Sequence, residues 1–289
     1  MEQHDDKALA IIAGRGAYPR VLAASARRQG VERIVAIAFK RETDRRIEAV
    51  ASEVHWMHLG QLAPLLETLK ASGVRRVVMA GQIKPTHLFN VRMDAALLRL
   101  LRGLKERNAH SIFGAIADEL AAIGLELVEA HSYMEAAMPA PGPLTGDPLD
   151  EQQQADVALG VRVAKATSGL DIGQTVVIKA GTILAVEAFE GTDETIKRAG
   201  RLGGPGAVVV KAAKQGHDMR FDIPVIGERT LRNMKRARAA VLAVEAHRTI
   251  LLDQVEMIKL AGQWGIRLIA VDMDRQTGGR SMALAEGST

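Results

Sequence analysis

The chain has 289 residues, 47% hydrophobic and 25% charged, a balance that describes an ordinary globular protein long enough for two domains. It has no cysteine, which excludes disulfide frameworks, thiolate metal sites and cysteine nucleophiles and leaves oxygen or histidine as the only ligands for a metal. Lys and Arg number 38 against 34 Asp and Glu, but the basic residues are scattered in pairs and only 3% of the chain is aromatic, so no nucleic-acid surface is expected and a small anionic ligand fits better.

The N-terminus, MEQHDDKALAIIAG, starts acidic and lacks the basic start and long apolar run of a secretory signal, so a cytoplasmic location is expected. No apolar run approaches the roughly 18 residues that would suggest a membrane-spanning helix, which limits any membrane contact to a peripheral one. ALAIIAG (8–14) reads as a strand, Pro19 to Gly30 as a helix, RIVAIAF (33–39) as a strand, LGQLAPLLETLKASG (59–73) as a helix and VRRVVMAG (74–81) as a strand. Apolar runs of strand length separated by amphipathic helices predict a parallel sheet with helices on its faces, a Rossmann-like α/β layout. Helical patterns over roughly 93–106 and 110–123 and a strand at LELVEA (125–130) complete a first domain, residues 1–137.

The stretch 138–148, MPAPGPLTGDP, holds four of the nine prolines and two glycines. Proline lacks a backbone donor, so this piece cannot continue a helix or a central strand and is read as the linker. A polar helix from about 150 to 168 opens the second domain, residues 149–289. QTVVIK and TILAVEAF, joined by a short Ala-Gly turn, then predict a hairpin whose second strand runs into a helix starting near Thr192. Strands at AAVLAVEA and IRLIAVD, with helices near 228–238 and 253–263, make this an α/β domain with mixed strand directions.

Three stretches carry chemistry. IIAGRGAYP puts Gly14 and Gly16 at a strand-to-helix turn, where amides at a helix N-terminus can meet phosphate oxygens, although only half of the dinucleotide fingerprint is present and a tight turn explains the same residues. MAGQIKP places Gly81, Gln82 and Lys84 after another parallel strand, where such sheets bind ligands and where an ordinary surface loop is equally compatible. AVEAFEGTDETIKR gathers Glu187, Glu190, Asp193 and Glu194 within eight positions. Thr192 or Asp193 as a helix cap accounts for part of this cluster, while Glu187 and Glu190 ask for a partner such as a hard divalent cation. KAAKQGHDMRFDIP brings Lys211, Lys214, His217, Asp218, Arg220 and Asp222 into one stretch, either a solvated loop or a site with cations for phosphate oxygens and carboxylates for a metal or a water.

IAGRGAYP, LDIGQTVVIKAGTILAVEAFEGTDETIKR and KAAKQGHDMRFDIPVIGERTL closely resemble, in order and over nearly the whole chain, the UDP-2,3-diacylglucosamine pyrophosphatase family of lipid A biosynthesis, of the LpxI type. The resemblance implies a cytoplasmic hydrolase, dependent on a divalent metal, magnesium by expectation. It would split a UDP-linked diacyl sugar into UMP and 2,3-diacylglucosamine 1-phosphate by attack of water on the β-phosphate, with the substrate between the two domains. It implies catalytic roles for Asp222 and Asp193 and metal ligation by Asp222, Glu187 and Glu190. Substrate contacts would come from Gly14, Gly16, Gly81, Gln82, Asp171, Gln174, Thr192, Lys211, Lys214 and Arg220. The chain departs from the family's usual residues at Arg15, Gln215 and His217, positions that bear on substrate contact more than on reaction class. A non-catalytic UDP-sugar-binding module and an NAD-linked oxidoreductase are the competing readings, and a homodimer is left open.

Overall fold

The structure, a computed structural model, describes residues 7–83, 92–106, 109–214, 218–221 and 223–274. The chain divides into two compact units, Met1–Ala136 with His217–Val225, and Ala137–Gly216 with Ile226–Thr289.

The first unit is built on strands β1 (Ala8–Ala13), β2 (Arg33–Phe39), β3 (Glu53–Met57), β4 (Arg76–Ala80) and β5 (Glu126–Leu127). They lie in the order β3-β2-β1-β4-β5, every pair parallel. All six residues of β1, ALAIIA, are buried, as a central parallel strand covered on both faces requires. Helix α1 (Tyr18–Arg28) follows β1, with Pro19 in its first turn, where the missing N–H costs nothing. Helices α2 (Leu62–Ala71), α3 (Ala95–Gly103) and α4 (Ala109–Ala122) complete the unit. Leu65 and Leu69 of α2 and Ala117 and Leu120 of α4 pack with Ile12, Ile37 and Val77 of the sheet, and Phe221 joins the same cluster. The backbone of the distant segment is tied in as well, because the amide of Ala130 donates to the carbonyl of Met219 at 2.7 Å.

Two sequence expectations change here. EVHWM forms β3, an edge strand with only Met57 buried, so its sequence lacks the apolar run that marks its neighbours. The expected strand at 125–130 shortens to Glu126–Leu127, pairing with Arg76 and Val77 before the chain turns away.

The second unit contains β6 (Gly142–Thr145), β7 (Thr175–Lys179), β8 (Thr182–Val186), β9 (Val208–Lys211), β11 (Val241–Glu245) and β13 (Arg267–Val271) in the order β6-β13-β11-β9-β7-β8. A two-stranded pair, β10 (Val225–Ile226) with β12 (Ile250–Leu251), stands apart from that sheet. Strands β9, β11 and β13 are parallel, whereas β6 and β7 run antiparallel to their neighbours. The proline-rich stretch read as a linker therefore supplies an edge strand, a position where a proline without a donor is tolerated. Helix α5 (Glu151–Gly169) opens with a capping box between Asp150 and Gln153 and covers one face of the sheet through Val157, Val161 and Ala164. Helices α6 (Thr192–Gly203), α7 (Glu228–Ala237) and α8 (Gln254–Gln263) cover the other through Ile196, Leu231, Met234 and Met257. The β7–β8 hairpin turns through Ala180 and Gly181, both at positive φ, and buried Asp156 of α5 accepts both of their amides, at 2.8 and 2.7 Å. Among the described residues no helix is long and apolar enough to cross a membrane.

Candidate functional site

In the first unit the strand order reverses between β1 and β4, and the loops that follow these two strands meet back to back. The Gly14 amide donates to the Ala80 carbonyl at 2.7 Å, and Arg15 and Gln82 exchange backbone hydrogen bonds at 2.6 and 3.2 Å. Both glycines are demanded by this approach. A Cβ on Gly14 would lie 2.7 Å from the Gln82 carbonyl oxygen, and one on Gly81, whose φ is +92°, would lie 2.7 Å from that of Arg15. Gly16, at φ +94°, has open space around its Cα instead. Thus two of the three glycines assigned to a ligand are already required by the contact of one loop with the other.

In the second unit the candidate residues gather around the start of β7 and the ends of β8 and β9. Lys211 ends β9 and is 5% exposed. Its Nζ donates to the Thr192 hydroxyl at 2.8 Å, and that hydroxyl donates to Glu187 Oε1 at 3.0 Å. A hydroxyl has one proton to give, so in the 3.3 Å contact between Thr175 and Thr192 it is the fully buried Thr175 that donates. The result is a chain from a buried ammonium through a threonine to a carboxylate. The second Glu187 oxygen is buried and has no hydrogen-bond partner among the described residues. No carboxylate among the described residues lies within ion-pair distance of Lys211, a costly state for a buried cation and one suited to an anionic ligand.

The other acids of the cluster have partners within the protein. Glu190 takes Arg198 at 2.6 Å and the Ala188 amide at 3.2 Å. Burial raises the Glu190 carboxyl, but its own amide, Arg198 and the Ala188 amide together outweigh this and hold it below its ordinary range. Asp193 is bound by Arg229 Nε at 2.6 Å and by Thr230 at 3.5 Å, both from α7, and Glu194 pairs with Lys197 at 2.7 Å. The expected cap is corrected. Gly191 occupies the N-cap position of α6, and no side chain caps the helix there, because the Thr192 hydroxyl is engaged by Lys211 and Glu187 instead. Among the described residues no group of three or more His, Asp or Glu is placed to hold a metal.

Asp171, at φ +56°, pairs with Lys214, and the Gln174 carbonyl accepts the Ala212 amide at 3.0 Å, so both residues adjoin the segment that follows β9. Arg220, within the first unit, forks onto Asp218 through two bonds of 2.9 and 2.6 Å, and this hydrogen-bonded carboxylate raises the guanidinium further. Asp222, Lys84, Gln215 and His217 lie outside the described residues. Sequence reasoning passed over two residues of the second unit, Lys165 on α5 and Glu245 at the end of β11, which form a buried pair at 2.6 Å. The one available signal was a glutamate closing the otherwise apolar strand AAVLAVEA.

These features define an α/β protein of two units, the first with the strand order of nucleotide-binding sheets and the second with a buried lysine set among carboxylates and hydroxyls at its strand ends. The chain belongs to the LpxI family: the LpxI N-terminal domain matches residues 8–137 and the LpxI C-terminal domain residues 140–269. It is 28% identical over 276 residues to the UDP-2,3-diacylglucosamine pyrophosphatase LpxI of Caulobacter vibrioides, covering 91% of this chain and 97% of that protein. Among solved structures, the biotin carboxylase domain of Hydrogenobacter thermophilus 2-oxoglutarate carboxylase matches with 13% identity and a TM-score of 0.27, over 68% of this chain and 42% of the other. The biotin carboxylase subunit of pyruvate carboxylase matches with 14% identity and the same TM-score, over 67% of this chain and 41% of the other. Likeness at that level carries no argument.

Proposed function

We propose that this protein hydrolyses the pyrophosphate of UDP-2,3-diacylglucosamine, releasing UMP and 2,3-diacylglucosamine 1-phosphate, a step of lipid A biosynthesis. The observation that carries the reading is Lys211, a buried cation held by a hydroxyl and lacking a carboxylate partner among the described residues, in a chain of the LpxI family. A phosphate oxygen satisfies such an ammonium, and the bond is of the strong, charge-assisted kind. Lys214 beside Asp171 offers a second cation near the same strand end.

The residues have separable tasks in this reading. Lys211 and Lys214 bind the phosphate oxygens of the substrate and hold the anhydride in place. Thr192 aligns Lys211 against Glu187 and sets the orientation of both. Asp222 orients or deprotonates the water that attacks the β-phosphate, the role its motif implies, while Asp193, held by α7, acts from the helix start.

A divalent cation, magnesium by the hardness of the oxygen donors, belongs to the same proposal. Glu187 fits it through its buried oxygen that has no partner among the described residues, and Asp222 is the second ligand assigned. Glu190, the third, is held by Arg198 and would have to exchange that partner to bind metal. When bound, the ion would supply Lewis-acid charge at the phosphate oxygens. The reaction is placed in the cytoplasm, with peripheral contact at the inner membrane surface where a diacyl substrate resides.

The test is release of UMP from UDP-2,3-diacylglucosamine by the purified protein, with and without EDTA. Turnover that EDTA abolishes and magnesium restores is expected. Asp222→Ala should fold, bind substrate and lose about a hundredfold or more in turnover, the scale of a general-base or electrostatic contribution. Binding without UMP release would make the protein a UDP-sugar-binding module, and near-normal turnover of Asp222→Ala with a lowered melting temperature would make that aspartate structural.

A further inference from the structure

Lys165 and Glu245 bury opposite charges in the second unit, 8% and 2% exposed, where neither the family match nor the sequence motifs assign a role. A buried ion pair is weak as a device for stability alone, since apolar side chains of similar volume often serve as well or better. What this pair does that apolar residues could not is grip a peptide. Glu245 divides its oxygens: Oε1 accepts Lys165 Nζ at 2.6 Å, and Oε2 accepts the backbone amide of Ala213, also at 2.6 Å. Lys165 in turn donates to the carbonyl of that same Ala213 at 3.3 Å. Both polar groups of one residue are thus held by the two halves of one ion pair. Arg248, 3.7 Å from Glu245, and Asp274, 3.7 Å from Lys165, extend the network outward.

Ala213 stands where β9 has ended and ladder partners are gone. Two residues before it Lys211 reaches Thr192, one before it Ala212 bonds the Gln174 carbonyl, and one after it Lys214 meets Asp171. The Glu245–Lys165 clamp therefore fixes the backbone from which both proposed phosphate-binding lysines project. We infer that Lys165 and Glu245 are positioning residues, which hold the Ala213 peptide so that Lys211 and Lys214 are set in advance for the anionic part of the substrate. The inference rests on the function proposed above and adds two residues to it. Pre-setting of this kind acts on ground state and transition state alike, so its loss appears in KM rather than in kcat.

The experiment compares the full-length wild type with Glu245→Gln, which keeps shape and removes the second acceptor, and with the double variant Lys165→Met, Glu245→Leu, which removes both charges and leaves neither orphaned. Steady-state UMP release is measured well below each melting temperature, together with amide exchange of the wild type. The expected result is KM raised about tenfold or more in each folded variant, with kcat changed by less than about threefold, and slow exchange of the Ala213 amide in the wild type. A merely structural pair would lower the melting temperature and leave KM unchanged, and that outcome overturns the inference. Rapid exchange at Ala213 overturns it too, whether or not the variants fold. A wild type that releases no UMP defeats the proposed function and this inference with it, whereas an active wild type with unaltered KM in the variants defeats the inference alone.

Discussion

The two units end their parallel strands in different ways. In the first, the loops after β1 and β4 close on each other by backbone alone, glycine against glycine, with main-chain hydrogen bonds from Gly14, Arg15 and Gln82. In the second, the ends of β9 and β11 carry charged side chains into the interior, with Lys211 on Thr192 and Glu245 on Lys165 and Ala213. A backbone junction tolerates no added atom but needs no charge, so its residues are constrained by shape. A side-chain junction tolerates changes of shape and is sensitive to charge. The same position in an α/β sheet, the carboxyl end of the strands, can thus be specialised for rigidity in one unit and for ionic chemistry in the other.

The largest expected effect tests the backbone side of this contrast. Gly81→Ala combines an unfavourable positive φ with a Cβ only 2.7 Å from the Arg15 carbonyl oxygen, and should destabilise the protein by about 3 kcal/mol or more, read as a loss in denaturant midpoint. Gly14→Ala should follow it closely, and two unaffected midpoints would show that the loops part easily. Next comes charge in the second unit. Lys211→Met keeps the apolar stem and removes the ammonium, so kcat/KM should fall about thirtyfold, which is about 2 kcal/mol, with the melting temperature held or raised because a buried charge is gone. Lost stability with intact kinetics would reverse the assignment and make both junctions structural.

The smallest effect concerns pH. The Glu190 carboxyl is held below its ordinary range despite burial, by its own amide, Arg198 and Ala188. A carboxylate with a depressed folded-state pKa adds stability that is complete above the unfolded-state value and disappears as pH falls through the folded-state value. Melting temperatures of Glu190→Gln and wild type should therefore differ modestly at neutral pH and converge under acid. Parallel curves would show that the Arg198 pair contributes nothing, as many exposed ion pairs do.

Much of this was readable from local pattern. The run ALAIIA is apolar throughout, and RIVAIAF and RVVMA are apolar after their first arginine, because both faces of a central parallel strand are covered, and that composition marks a strand without knowledge of its neighbours. The hairpin of β7 and β8 was announced by its Ala-Gly turn, and α6 was placed near Thr192 by the acids in its first turn. Where pattern weakened, so did the reading: β3 is a half-exposed edge strand, and β6 hides among prolines because edge strands can dispense with a donor.

The second unit's chemistry was legible only as composition. Lys211, Thr192 and Glu187 could be singled out as residue types that suit phosphate and metal, yet nothing in their spacing said that the threonine would bridge the other two instead of capping its helix. A hydroxyl goes to the strongest donor and acceptor within reach, and those are 19 and 5 residues away along the chain, brought together by the pairing of β9 with β7. Glu245 and Lys165 are 80 residues apart, and each alone resembles an ordinary surface charge. Periodicity reports how a residue faces its own element, and so the sequence determined the central strands, most of the helices and the inventory of charges. Which charge meets which depends on contacts between elements remote in the chain, and those were decided only when strands β7, β9 and β11 were laid side by side.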